Sequence, residues 1–101
     1  MANSLDLTTG VLRCDTAATV IATNSGEIKV QALEWVSDAA AAGGAMAAAD
    51  KLIMTINGVT VEILCVIALS QTWVRQFTVP LPVQNLTVST IDGGTLLVWL
   101  A

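Results

Sequence analysis

Apolar and polar residues alternate with a period of two along much of this chain. In Val59-Thr60-Val61-Glu62-Ile63-Leu64-Cys65-Val66-Ile67 every odd position is apolar, and the even positions start polar and turn apolar at Leu64. The alternating part predicts a half-buried strand, and the continuous part predicts burial on both faces. Just upstream, Lys51-Leu52-Ile53-Met54-Thr55-Ile56 runs into Asn57-Gly58. Asn-Gly suits a type I′ turn, which needs positive φ at both central residues. The pattern therefore predicts an antiparallel hairpin that pairs 51–56 with 59–67.

The same logic places further strands. Thr19 to Ala22 is rich in β-branched residues and ends at the turn cluster Asn24-Ser25-Gly26. Glu27 to Ala32 alternates with its even positions inward. The phase slips at Ala32-Leu33, because Leu33 and Trp35 are odd; a β-bulge near that point, or burial of both faces, accounts for the slip. Gln71 to Val79 places Trp73, Phe77 and Val79 on one side, interrupted by Arg75, which predicts an edge position or a partner for Arg75. Pro80-Leu81-Pro82 is expected to end that strand, since proline donates nothing to a ladder. Leu86 to Thr90 and Thr95 to Leu100 are the last strands, separated by the turn Asp92-Gly93-Gly94. An apolar strand at the end of a chain must be tied into a sheet.

Between Asp38 and Asp50 every residue is Ala, Gly or Met. Alanine favours helix and Asp38 is a suitable N-cap, but Gly43-Gly44 costs about 2 kcal/mol against alanine. A long small-residue loop is favoured over a short helix. Short strands spaced by turn signals in 101 residues predict an all-β fold. The expectation is one antiparallel β-sandwich of seven or eight strands, with a jelly roll as one form of it and a small β-barrel as the alternative. The sandwich spans 17–101 and carries the loop at 38–50. Residues 1–16 are an N-terminal arm or a first edge strand.

Composition narrows the function classes. Apolar residues make up 54% of the chain and charged residues 12%, which rules out intrinsic disorder. The longest apolar runs, seven residues at Ile63–Leu69 and eleven at 39–49, are too short to span a bilayer as a helix. The N-terminus lacks the basic and apolar regions of a signal peptide. No membrane role is expected. Four cations among eight anions cannot form a basic stripe for phosphates, so no nucleic-acid partner is expected.

No histidine is present to act as a base or ligand. The chain has no Gly-x-Ser-x-Gly elbow and no phosphate loop. Cys14 and Cys65 match no metal or redox spacing; buried free thiols are favoured over a disulfide joining two strands. Asp38 and Asp50 flank one loop but bring no further side-chain oxygens for calcium, which takes six to eight. An enzyme, a cofactor and a metal are therefore not expected.

Trp35, Trp73 and Trp99 all fall within expected strands. A core role comes first, a subunit interface second and a sugar-stacking platform third. A domain of ~100 residues buries only about 60–65% of its unfolded surface. With so few charges to cover the remainder, further burial against other subunits is the economical solution. Trp35, Trp73, Phe77, Leu81 and Trp99 are the candidate interface residues, with Trp73, Phe77 and Leu81 as apolar anchors.

Residues 29–38, 50–58 and 83–100 carry a resemblance. Through Lys29-Val30-Gln31-Ala32-Leu33-Glu34-Trp35-Val36-Ser37-Asp38, Asp50 to Gly58, and Val83 to Leu100, the stretch 27–100 resembles small β-structured proteins of tailed-bacteriophage structural gene clusters. That resemblance implies a non-enzymatic virion protein of the head decoration (cement) kind, assembled in the host cytoplasm and located on the capsid surface. It implies self-association, with a trimer favoured over a dimer, and a major capsid protein or another virion protein as partner. It carries over no active-site residues, and the Ala/Gly-rich 39–49 stretch departs from its pattern. A lectin-like or adhesion module on a virion or cell surface is the alternative function.

Overall fold

The computed structural model describes residue 3 and residues 10–23, 26–65 and 72–101. Among them are eight strands and no helix: β1 (Val11–Cys14), β2 (Ala18–Ala22), β3 (Ile28–Val36), β4 (Lys51–Ile56), β5 (Val59–Leu64), β6 (Trp73–Val83), β7 (Asn85–Ile91) and β8 (Thr95–Leu100). They form two open four-stranded sheets, in the orders β1-β8-β3-β6 and β2-β7-β4-β5. Every pairing is antiparallel.

The connectivity has a simple origin. β4 pairs with β5, β3 with β6, β2 with β7 and β1 with β8. The chain is thus one long hairpin whose tip is Asn57-Gly58. Rolling that hairpin brings β3 onto β8 and β4 onto β7, which completes the two sheets. This is the jelly-roll form of the β-sandwich. Neither sheet closes on itself, so the barrel alternative is set aside.

At the tip, Asn57 and Gly58 have φ of 49° and 84°, as a type I′ turn requires. Lys51 to Ile56 pairs with Leu64 to Val59 without a slip; positions 66 and 67 of the expected strand lie outside the described residues. The expected burial of Leu64 on both faces is not found: Leu64 is exposed, because it alternates with Val61 and Ile63, which pack on the core, and so points away from it.

The bulge lies one residue earlier than expected. It separates Val30 from Ala32 in the pairing of β3 with both β6 and β8. Opposite it, β6 does not stop at the prolines, contrary to expectation; it continues to Val83. Two features permit this. Pro80 falls where the ladder is interrupted, between Gln76, which faces Ala32, and Leu81, which faces Val30. Both prolines also sit on the outermost strand of a sheet, where a missing donor is tolerated. Val79, expected inward, is 79% exposed because it belongs to that interrupted stretch.

The inner faces meet in one core that includes Leu12, Leu33, Trp35 and Val98 from the first sheet and Leu52, Met54, Leu86 and Val88 from the second. Trp35 is completely buried, and its Nε1 donates to the Gly93 carbonyl at 2.9 Å, which satisfies the indole N–H. Between β3 and β4 the chain makes turns, and Met46 plugs into the core from them. Side chains hold these turns in place. Asp38, Asp15 and Asp50 accept from the backbone N–H groups of Ala40, Ala42 and Ala47, and Ser37 Oγ accepts from Met46. Gly44 O accepts from Gly94 N at 2.8 Å. Gly94 has φ of 71°, and a Cβ there would lie 2.4 Å from the Val36 carbonyl, so no larger residue fits this contact.

Candidate functional site

An apolar groove opens between the sheets along the edge that β5 and β6 share. Its volume is about 470 Å³, and its wall includes Leu33, Met54, Ile56, Val61, Trp73, Phe77 and Leu81. The register explains the β6 contribution. Trp73 faces Trp35, Arg75 faces Leu33 and Leu81 faces Val30, all inward-pointing partners on β3. Trp73, Phe77 and Leu81, singled out from the sequence, are thus brought together. Each is half-buried and packs against the core. Arg75 interrupts this stripe from the edge strand, with its guanidinium carbon 6.0 Å from the centre of the Phe77 ring. That distance allows a cation–π contact, which accommodates a cation among apolar neighbours.

The strands that flank the groove also carry apolar side chains into solvent. Among the described residues, the large apolar side chains that remain exposed are Val59 and Leu64 on β5, Val74 and Val79 on β6, and Trp99 on β8. All but Trp99 belong to the two strands that flank the groove. Among the described residues, each of these strands also has one side without a neighbouring strand. Apolar side chains beside an unpaired edge are what a protein with no use for that edge avoids.

A second depression, of about 330 Å³, lies on the outer face of the β1-β8-β3-β6 sheet. Gln31, Ala32, Glu34, Val74, Gln76 and Trp99 line it. Trp99 Nε1 donates to Glu34 Oε1 at 3.2 Å. The sequence pattern singled out Trp99 but missed its polar neighbours. Gln31 and Ala32 reach one face only because of the bulge, and Gln76 joins them only through the β3–β6 register.

The remaining candidates separate cleanly. Trp35 has no accessible surface and so offers nothing to an interface. Cys14 and Cys65 are both buried and are not joined in a disulfide. One lies on edge strand β1 of the first sheet and the other just beyond β5, an edge strand of the second. Burial pushes the Cys14 thiol up to about 11, and its Sγ donates to the Thr16 carbonyl at 2.9 Å. Among the described residues no three Cys, Asp or Glu side chains gather into a metal-binding group. Asp38 and Asp50 instead hold backbone N–H groups of the loop between them.

No protein-family description, no curated protein and no solved structure matches the chain. The jelly-roll assignment therefore stands on strand order and pairing alone.

Proposed function

We propose that this chain is a non-enzymatic structural subunit, a virion protein of the head-decoration kind that binds and stabilises a capsid shell. The observation that carries the reading is the apolar β5–β6 edge, where a groove lined by Trp73, Phe77 and Leu81 is flanked by exposed Val59, Leu64, Val74 and Val79. An edge of this kind binds protein by two routes at once. A further strand can pair with its backbone, and its groove takes the apolar side chains of that strand. Aromatic anchors in a desolvated pocket contribute most of the affinity in such contacts. Self-association, as a trimer in preference to a dimer, multiplies each weak contact across a symmetric lattice.

The test is co-sedimentation with empty capsid shells of the virus that encodes the chain, together with light scattering of the free protein. The expected results are saturable sedimentation with the shells and a mass of about three chains. Val79→Lys places a charge on this apolar edge and should reduce shell binding at least about tenfold. Protein that stays in the supernatant at all concentrations overturns the capsid reading. A monomer at millimolar concentration overturns the trimer.

A further inference from the structure

The depression around Trp99 lies on the outside of the first sheet, away from the groove between the sheets, and of its lining the assembly reading uses only Val74. Its floor follows from the register. Trp99 on β8 faces Ala32 on β3, and Ala32 faces Gln76 on β6, so the three stand in one row across the sheet. Ala32 points outward, because its partner Trp99 lies between Val98 and Leu100, which face the core. Yet Ala32 is only 8% exposed. Of the side chains around it, Gln31, Glu34, Val74, Gln76 and Trp99, the indole is the largest.

The hydrogen bond from Trp99 Nε1 to Glu34 agrees with this placement, since Glu34 lies two residues beyond Ala32 on the same face. The hydrogen bond holds the indole N–H beside Glu34, and Trp99 as a whole stays 38% exposed. Around this plate stand Gln31 and Gln76, both exposed and neither forming a side-chain hydrogen bond among the described residues. Each amide offers both donors and acceptors, and Glu34 offers acceptors.

We propose that this depression binds a neutral saccharide, with a pyranose ring stacked on the open face of Trp99 and its hydroxyls hydrogen-bonded to Gln31, Gln76 and Glu34. A pyranose presents a flat C–H face and a rim of vicinal hydroxyls, and an indole plate bordered by amides and a carboxylate matches both. The charge in the site selects the class of sugar. Glu34 is its one ionisable lining residue and the chain carries a net −4, which disfavours uronic, sialic and sulfated sugars. No cation lines the depression, so a nucleotide phosphate has no partner there.

Native gels cast with soluble neutral polysaccharides (mixed-linkage β-glucan, galactomannan, xylan and α-mannan) or with anionic polygalacturonate test the proposal. Retardation by at least one neutral polymer, and none by polygalacturonate, is expected. Trp99→Ala should weaken that retardation at least about tenfold, equivalent to losing one stacking contact. Gln31→Ala with Gln76→Ala should weaken it severalfold. Both glutamines are exposed, so the double variant remains informative if Trp99→Ala does not fold. Thr60→Ala on β5 should leave retardation unchanged. The site is overturned if no neutral polymer retards the protein, if polygalacturonate retards it as strongly, or if the folded Trp99 or glutamine variants behave like the wild type. Loss of self-association in Trp99→Ala without sugar binding by the wild type also overturns it, because the face would then be covered by another copy. Shell binding is read separately, by co-sedimentation of Val79→Lys, so failure of the sugar site and failure of the assembly reading are told apart.

Discussion

Asp38 shows how a loop of small residues is held by one side chain. Its Oδ1 accepts from Ala40 N at 2.9 Å, its Oδ2 accepts from Thr95 Oγ1 at 3.1 Å, and Arg13 Nη2 lies 3.7 Å from Oδ2. The Ala40 hydrogen bond, then those from Thr95 and the charge of Arg13, lower its pKa against an opposing desolvation effect. A carboxyl whose pKa is lower folded than unfolded adds stability above the unfolded value, near 3.9, and loses it as pH falls through the folded value. Stability should therefore fall as pH drops below about 4. Asp38→Asn should flatten that fall, as measured by denaturant midpoints from pH 6 to pH 2. An equal pH dependence in both proteins would place the acid sensitivity elsewhere.

At the scale of the element, the β4–β5 turn holds more than its own hairpin. Asn57 Nδ2 donates to the Pro82 carbonyl at 2.9 Å, and Asn57 Oδ1 accepts from Gln84 N at 2.9 Å and Asn85 N at 3.3 Å. Asn57 N also donates to the Asn85 carbonyl. The hairpin tip therefore clasps the corner where β6 leaves one sheet and β7 enters the other. Asn57→Ala removes a side chain that tolerates positive φ and strips partners from two backbone donors. The expected cost is about 2 kcal/mol, or roughly 10 °C in Tm for a domain of this size. Asn57→Asp keeps the acceptor and should cost less; calorimetry of the two variants checks the order. The hairpin itself was legible because Asn-Gly and the alternation around it act locally. The clasp was not, because its partners lie 25 to 28 residues away.

The whole molecule has one apolar edge and few charges with which to cover it. If association runs through β5 and β6, salt should affect it differently from charge-driven binding. Exposed ion pairs are screened at 1 M salt, whereas apolar contact is not and is strengthened by sulfate. The oligomer is therefore expected to persist in 1 M NaCl and to dissociate less on dilution in sodium sulfate, as read by light scattering. Dissociation by NaCl alone would assign the contact to the sparse charges.

The sequence by itself determined the strand content, the hairpin at Asn57-Gly58 and the sandwich class. Each of these follows from local periodicity, turn chemistry or composition. Tertiary structure decided which strands lie at an edge, and edge position overrode the local rules. It let β6 pass through Pro80 and Pro82, and it left Val79 exposed. It also divided three similar tryptophans among three fates: Trp35 in the core, Trp73 in the groove and Trp99 on an outer face. A strand's side-chain period states only that its two faces differ. Which face meets the core, and whether a neighbour covers the edge, depends on pairing with residues far along the chain.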